Sequence, residues 1–238
     1  MIWYNYSDKL KSDKQGFEKL KPKVVTKMKI ALFGTSEIQF SKVYTPDVLK
    51  KLGKYGELSP KINQKNIAEH SEWLKDCEIA FSTWGMPKFT KEEIKKYLPS
   101  LKAVFYSAGT VQYFAKPFLE SGIKVYSAFA ANAVPVAEFT FAQISLASKG
   151  FFQSARIAKA GRRGDAYEFS LKHPGNYDAK IGIVGAGMIG KKVIELLKPY
   201  KLDIYIYDSF LTDEQIRALG AKKMDLETMF KECDIVSN

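Results

Sequence analysis

A glycine triplet in the second half of the chain has the spacing to hold a diphosphate. Gly185, Gly187 and Gly190 follow the apolar stretch KIGIV and open MIGKKVIELLKPY, which has the apolar spacing of a helix. Gly185 allows a tight turn, Gly187 lets a diphosphate approach the backbone, and Gly190 permits close packing of helix on strand. The free amides of Met188 and Ile189, at the predicted helix start, favour an anion.

An aspartate extends this pattern. Asp208 ends the second apolar stretch, LDIYIY, 18 residues after Gly190. Its carboxylate can accept hydrogen bonds from both ribose hydroxyls of an adenosine, and its charge would repel a 2′-phosphate. The order strand, glycine turn, helix, strand and acid therefore predicts a dinucleotide site, for NAD rather than NADP. The alternative interpretation is a glycine-rich turn beside an incidental surface aspartate.

Few other residues have the partners that acid–base chemistry needs. His70, in AEHSEW, and His173, in KHPGNY, have no carboxylate at a telling spacing, and we interpret both as surface or loop histidines. Arg162 and Arg163 lie on a polar stretch before the glycines. There we expect a contact with solvent or with a second copy of the chain, rather than a catalytic role.

The composition argues against several classes of protein. The 238 residues carry a net charge of +11, but only four of the 37 basic residues are arginine, and the lysines are scattered. We therefore predict no nucleic-acid partner. A membrane-spanning helix needs about 18 consecutive apolar residues, and no apolar run in the sequence is that long. We therefore predict no membrane partner. Cys77 and Cys233 lack any metal or redox spacing, and with no secretory signal they indicate a reducing cytoplasm and no metal site.

Strand-like and helix-like segments alternate before the glycine triplet. The predicted strands are KIALFG, EIAFSTW, LKAVFYS and IKVYSAF, and the predicted helices are TPDVLKKLGKYG, NIAEHSEWLKDC, TKEEIKKYLPS and VQYFAKPFLESG. Thr45 and Thr90 have the position of helix caps, and Pro117 indicates a kink or a break. This alternation predicts a parallel sheet covered by helices.

Two further segments connect this region to the glycine triplet. Apolar residues surround most of VPVAEFTFAQISLASKGFF, which predicts a helix buried on more than one side, between two domains. The polar, glycine-containing residues 155–179 predict a connecting arm. From Lys180 onwards, the predicted order is strand, helix, strand, helix (TDEQIRALG), short strand near AKKM, helix (DLETMFKE) and strand (DIVS).

From about Met28 onwards, the sequence resembles the D-isomer-specific 2-hydroxyacid dehydrogenases. IGIVGAGMIGKKV and YIYDSF match the family's cofactor fingerprint and acidic residue. NAVPVAEFTFAQISLA is similar to the segment that enters the cofactor domain along an interdomain helix. LKAVFYSAGTVQYF stands where the family has a glycine-containing loop whose backbone amides hold the substrate carboxylate.

The resemblance implies an α/β fold in two parts. Residues 28–130 would form a flavodoxin-like substrate domain, and residues 131–238 an NAD-binding Rossmann domain, a doubly wound parallel sheet that is incomplete at its C-terminus. Residues 1–27 would be a disordered extension, with Met28 as a candidate for the true start.

The resemblance also implies site residues. The positions that match the substrate loop are Ser107, Ala108 and Gly109. Asn132 would lie near the nicotinamide. The sequence departs from the family pattern in two places. Thr110 and Val111 follow Gly109 where the family loop usually continues with an acidic residue, and Met188 replaces an arginine or asparagine without removing the backbone amides.

The implied activity is hydride transfer between NAD(H) and a small D-2-hydroxy acid or 2-oxo acid. The family's catalytic arginine, glutamate and histidine lie downstream of the strand that CDIVSN begins, so no catalytic residue is assigned, and we expect a truncated chain without turnover. A complete protein is expected to be a homodimer, through the arm and the helix after Val134. The alternatives are a non-catalytic NAD-binding sensor or scaffold on the same fold and, more weakly, a nucleic-acid-binding domain.

Overall fold

The computed structural model describes residues 27–173 and 175–238, which form two successive parallel sheets. The expected extension lies outside the described residues except for Lys27. The strands are β1 (Met28–Phe33), β2 (Gly56–Ile62), β3 (Cys77–Ser82), β4 (Ala103–Tyr106), β5 (Lys124–Ser127), β6 (Tyr177–Val184), β7 (Lys201–Tyr207), β8 (Lys222–Lys223) and β9 (Ile235–Ser237). The helices are α1 (Glu37–Val43), α2 (Pro46–Leu52), α3 (Ser71–Leu74), α4 (Lys91–Tyr97), α5 (Ala115–Glu120), α6 (Phe129–Ser148), α7 (Phe151–Lys159), α8 (Arg163–Leu171), α9 (Met188–Leu197), α10 (Asp213–Ala218) and α11 (Leu226–Glu232).

The first sheet has the strand order β2-β1-β3-β4-β5, and every pair in it is parallel. This is the flavodoxin-like order that the family resemblance implies. Leu32 of β1 packs with Phe40 and Tyr44 on one face of the sheet, and Phe33 packs with Phe118 on the other. Because β1 is buried on both faces from Ile30 to Phe33, its sequence there is an uninterrupted apolar run.

Several elements differ from the prediction. The elements α1 and β2 were not predicted; β2 lies at the sheet edge, where Pro60 can be accommodated although it has no amide to donate. The segment NIAEHSEWLKDC forms only a 3-10 turn, Ala68–His70, and the four-residue α3. Pro117 lies in the first turn of α5, so the helix starts just before the proline instead of being kinked by it.

The second sheet has the order β8-β7-β6-β9, again all parallel. If β6 to β9 are numbered 1 to 4 along the chain, the order in the sheet is 3-2-1-4. This is the arrangement of the first four strands of a doubly wound domain. β9 pairs with β6 through Ile181 and Ile235, so the sheet reverses its order beside the end of β6. The Rossmann prediction is therefore confirmed, together with the predicted order of elements after Lys180.

The connecting region corrects two predictions. α6 does not have burial on several sides: Ala137 and Ile144 face the second core, but Phe139 is 67% exposed. The helix also stops before Gly150, whose φ is 63°, and α7 starts as a separate helix. The segment predicted as a connecting arm is helical. It contains most of α7 and all of α8, which pack against each other across a turn at Gly161. The expected domain boundary, between residues 130 and 131, falls in the first turn of α6 and stays a prediction.

Candidate functional site

The turn between β6 and α9 has the shape that its glycines predict. Gly185 has a φ of 87°, and its amide donates to the carbonyl of Tyr207 over 2.8 Å. A Cβ atom on Gly190 would lie 2.2 Å from the carbonyl oxygen of Gly185. No side chain fits at that distance, so α9 approaches the end of β6 as closely as a glycine allows.

The space in front of α9 is open. Gly187 is the N-cap of α9, and no side chain caps the helix there. A Cβ atom on Gly187 would meet no described atom within 4 Å. Met188 and Ile189 are 40% and 39% exposed in the first turn. Because the first amides of a helix have no intrahelical acceptor, this turn combines free donors with open space, and it fits a diphosphate.

The Asp208 carboxylate connects this turn to the residues after β7 by hydrogen bonds. Its Oδ2 atom accepts a hydrogen bond from the Ala186 amide over 2.8 Å, and its Oδ1 atom accepts from the amides of Phe210 (2.8 Å) and Leu211 (3.1 Å). These backbone donors, with Phe210 contributing most, lower the pKa of the Asp208 carboxyl. A carboxylate offers about four acceptor positions. The three amides occupy three of these positions, which leaves one acceptor position on Oδ2. Asp208 can therefore accept a hydrogen bond from one ribose hydroxyl, whereas the sequence suggested hydrogen bonds from two.

A cavity of about 700 Å³ joins the glycine turn to the loop after β4. It is lined by residues 109–112, Ser127, Phe129, Asn132, Ala133, Val136, Thr140, Ile183, Val184, Gly185, Gly187, Met188, Ile189, Gly190, Val193, Ser237 and Asn238. None of these residues has an ionisable side chain, although a quarter of the whole chain is charged (26%). The described part of this site can therefore bind and orient a ligand, but it offers no side-chain acid or base.

Most of the predicted site residues line the cavity; the exceptions are Asp208 and two residues of the substrate loop. Gly109 and Asn132 meet at its wall: the Nδ2 atom of Asn132 lies 3.3 Å from the position of a Cβ on Gly109. Ser107 and Ala108 do not line the cavity. The Ser107 amide donates to the carbonyl of Ser82 over 2.7 Å, so it is not available to a substrate.

The remaining candidate side chains lie away from the cavity. His173 is next to the carbonyl of Phe169 (3.1 Å), and its ring packs on the Phe169 ring. Arg162 pairs with Asp165 on the surface. His70 lies in the 3-10 turn before α3. These placements agree with their interpretation as loop and surface residues.

Both cysteines are free, and burial raises the pKa of the Cys77 thiol to about 12. Over the described ranges, no group of three or more His, Cys, Asp or Glu side chains could hold a metal ion. None of the described helices has the length and apolar character to cross a membrane.

The sequence did not identify several residues of the cavity wall. Ser127 is the last residue of β5, while Val136 and Thr140 lie on α6. Ser127 had a usable signal, because it lies near the C-terminal end of the predicted strand IKVYSAF, at the same sheet edge as the loop after β4. The residues of α6 had none, since an apolar helix does not show which side faces a cavity.

Comparison with known proteins agrees with this geometry. Residues 141–238 match the family model for the D-isomer specific 2-hydroxyacid dehydrogenase, NAD binding domain. The D-3-phosphoglycerate dehydrogenase of Bacillus subtilis is 27% identical over 177 residues, covering 74% of this chain and 33% of that protein. The glyoxylate reductase of Korarchaeum cryptofilum is 27% identical over 168 residues, covering 70% of this chain and 50% of that protein.

A solved structure shares the fold. The holo form of D-mandelate dehydrogenase from Rhodotorula graminis superposes with a TM-score of 0.70 and 18% identity, over 90% of this chain and 66% of that one. The chain thus spans between a third and two thirds of the length of these proteins (33–66%). NAD is the cofactor of the second domain. The comparisons therefore identify residues 141–238 as an NAD-binding domain of the D-isomer-specific 2-hydroxyacid dehydrogenase family, and the turn geometry agrees with this.

Proposed function

We propose that this chain belongs to an oxidoreductase that transfers a hydride between NAD(H) and a small D-2-hydroxy acid or its 2-oxo acid. When bound, the nicotinamide would supply the hydride chemistry. The proposal is carried by the cavity, in which the glycine turn and the loop after β4 face the same space. A cofactor held at the glycine turn would therefore lie next to a substrate held at the loop after β4.

The protein's own groups would bind and orient the cofactor. The amides of Met188 and Ile189 would hold the diphosphate, and Oδ2 of Asp208 would accept one ribose hydroxyl. The negative charge of Asp208 would oppose a 2′-phosphate, which favours NAD over NADP. Asn132, on the wall between the glycine turn and Gly109, would contact the nicotinamide end.

We also propose that the 238-residue chain does not turn over substrate. Reduction of a 2-oxo acid needs a cation for the carboxylate and an acid for the new alkoxide. The cavity wall, as far as the structure describes it, has only uncharged side chains. The family's arginine, glutamate and histidine have no counterpart among them.

Two titrations test these statements. We expect calorimetry to show that ADP-ribose binds, and that 2′-phospho-ADP-ribose binds at least about tenfold more weakly, a difference of about 1.4 kcal/mol. We expect no loss of NADH absorbance with a panel of 2-oxo acids. The absence of heat from a folded sample would refute the cofactor proposal, and oxidation of NADH would refute the proposed lack of turnover.

A non-catalytic NAD sensor or scaffold is the second candidate, and the uncharged cavity wall favours it. The two candidates differ in the size of the native protein. Mass spectrometry of the protein from its source cells should find a longer chain if it is an enzyme, and 238 residues if it is a sensor. ADP-ribose binding alone is expected in both cases.

Self-association is a further part of the proposal. The large exposed apolar side chains on α6 to α8 include Phe139, Phe151, Phe152, Tyr167 and Leu171. Such a concentration of apolar surface favours an interface, and we propose a homodimer across α6 to α8. Light scattering of the wild type should give a particle mass twice that of the monomer, and Phe139→Ser should lower this measured mass. A wild-type monomer at all concentrations would contradict this. A cytoplasmic location stays a prediction.

A further inference from the structure

The hydroxyl of Ser127 contacts two successive carbonyls of the loop after β4. Its Oγ atom lies 3.0 Å from the carbonyl oxygen of Ala108, and it also donates to the carbonyl of Gly109. Ser127 is the last residue of β5 and pairs with Tyr106, the last residue of β4. The loop therefore leaves one strand and is held immediately by the end of the next.

These two contacts fix the direction of two amides. In a trans peptide, the carbonyl of one residue and the amide of the next point in opposite directions. The carbonyls of Ala108 and Gly109 point to Ser127, so the amides of Gly109 and Thr110 point away from it. Over the ranges that the structure describes, neither of these two amides donates a hydrogen bond. Both residues line the cavity.

The start of the loop is fixed by a second polar contact. The buried hydroxyl of Tyr44 donates to the Ser82 carbonyl over 2.7 Å. It lies 3.0 Å from the Ser107 hydroxyl, and because its own proton is already donated, Ser107 must be the donor in that pair. The Ser107 amide also donates to Ser82. Ser107 and the carbonyls of Ala108 and Gly109 are thus fixed by polar contacts, while the amides of Gly109 and Thr110 have no acceptor among the described residues.

We propose that Ser127 is a positioning residue for the substrate carboxylate. By holding the two carbonyls, it directs the successive amides of Gly109 and Thr110 to one anionic group of a 2-oxo or 2-hydroxy acid. Successive amides in a turn make an anion-binding concavity, and the ligand gains most when the donors are fixed beforehand. The inference rests on the proposed function, and it assigns the contact to Gly109 and Thr110 instead of Ser107 and Ala108.

The test uses the full chain saturated with NAD, with oxalate as a planar carboxylate probe. Amide signals in ¹⁵N NMR spectra report oxalate binding at the loop, and calorimetry reports ADP-ribose binding. In the wild type, oxalate should shift the signals of Gly109 and Thr110. Ser127→Ala should need at least about fivefold more oxalate for the same shift, while its ADP-ribose affinity stays within about twofold.

Two variants separate positioning from a general effect on the fold. Ser127→Thr retains the hydroxyl and should bind oxalate like the wild type. Ser121→Ala is the matched control, because the Ser121 hydroxyl also donates to a backbone carbonyl, that of Pro117, but on the exposed end of α5. Ser121→Ala should change neither the affinity for oxalate nor the affinity for ADP-ribose. If Ser127→Ala does not fold, Ser127→Cys, whose thiol is a weaker donor, should bind oxalate more weakly than Ser127→Thr and the wild type while keeping its ADP-ribose affinity.

Three results would overturn the inference. Oxalate could leave the Gly109 and Thr110 signals of the wild type unmoved although ADP-ribose binds. Ser127→Ala could bind oxalate as well as Ser127→Thr does. Oxalate and ADP-ribose affinities could fall together, which would indicate a structural role alone. A wild type that binds no ADP-ribose would instead refute the proposed function itself.

Discussion

Replacing Gly187 with alanine separates the binding role of the glycine turn from its role in folding. The added Cβ would meet no described atom within 4 Å, and the backbone there is extended, with φ −70° and ψ −155°. Alanine in place of glycine stabilises a compatible site by about 0.4–1 kcal/mol through the unfolded chain. The poorer N-cap preference of alanine opposes this. We expect the free energy of unfolding to change by less than about 1 kcal/mol.

Cofactor binding should respond much more strongly. The methyl group would enter the space in front of α9, where the diphosphate would approach the backbone. Overpacking by one methyl group costs about 1–3 kcal/mol, which corresponds to a roughly five- to 150-fold weaker affinity for ADP-ribose. Calorimetry gives the affinity, and urea unfolding followed by circular dichroism gives the stability of the same sample.

Gly185→Ala is the comparison variant within the same turn. With a φ of 87°, alanine at this position would be strained by about 1–2 kcal/mol, and the free energy of unfolding should fall. A Gly187→Ala variant that is stable and binds ADP-ribose like the wild type would refute the reasoning. The diphosphate could not then lie against this turn.

Three further variants test other parts of the structure. Gly190→Ala would place its Cβ 2.2 Å from the Gly185 carbonyl oxygen, so it should lower both the free energy of unfolding and ADP-ribose affinity in parallel; loss of affinity alone would contradict this. Asp208→Ala removes the acceptor of the ribose hydroxyl and should weaken ADP-ribose by at least about tenfold in calorimetry, since a hydrogen bond to a charged group contributes about 1.5–3 kcal/mol. Burial raises the pKa of Tyr44 from 10.0 to about 12. The folded state therefore keeps this proton longer than the unfolded chain, and stability should fall as the pH rises between these values. Urea unfolding of Tyr44→Phe should show a smaller fall, and an equal fall would show that Tyr44 does not contribute.

Local requirements made the glycine turn predictable. Gly185 needs a positive φ, and Gly190 allows a backbone contact that excludes any side chain; both follow from steric rules acting over a few residues. The order of elements after Lys180 was predictable for a similar reason, because buried parallel strands and amphipathic helices have distinct apolar patterns. The edge strand β2, with Pro60 inside it, lacks that pattern and was not predicted.

The sequence by itself predicted parallel strands alternating with helices and the position of the cofactor turn, since both depend on short-range backbone preferences and apolar periodicity. The assignment of a flavodoxin-like part followed by a Rossmann part came from the family resemblance. Only the tertiary structure showed that Asp208 has a single acceptor position left, that Phe139 of α6 is exposed, and that Ser127 holds the loop at Gly109. Apart from the hydrogen bonds that Asp208 accepts from Phe210 and Leu211, these facts depend on contacts between residues far apart in the chain. Strand register and helix packing set such contacts, and no local pattern encodes them.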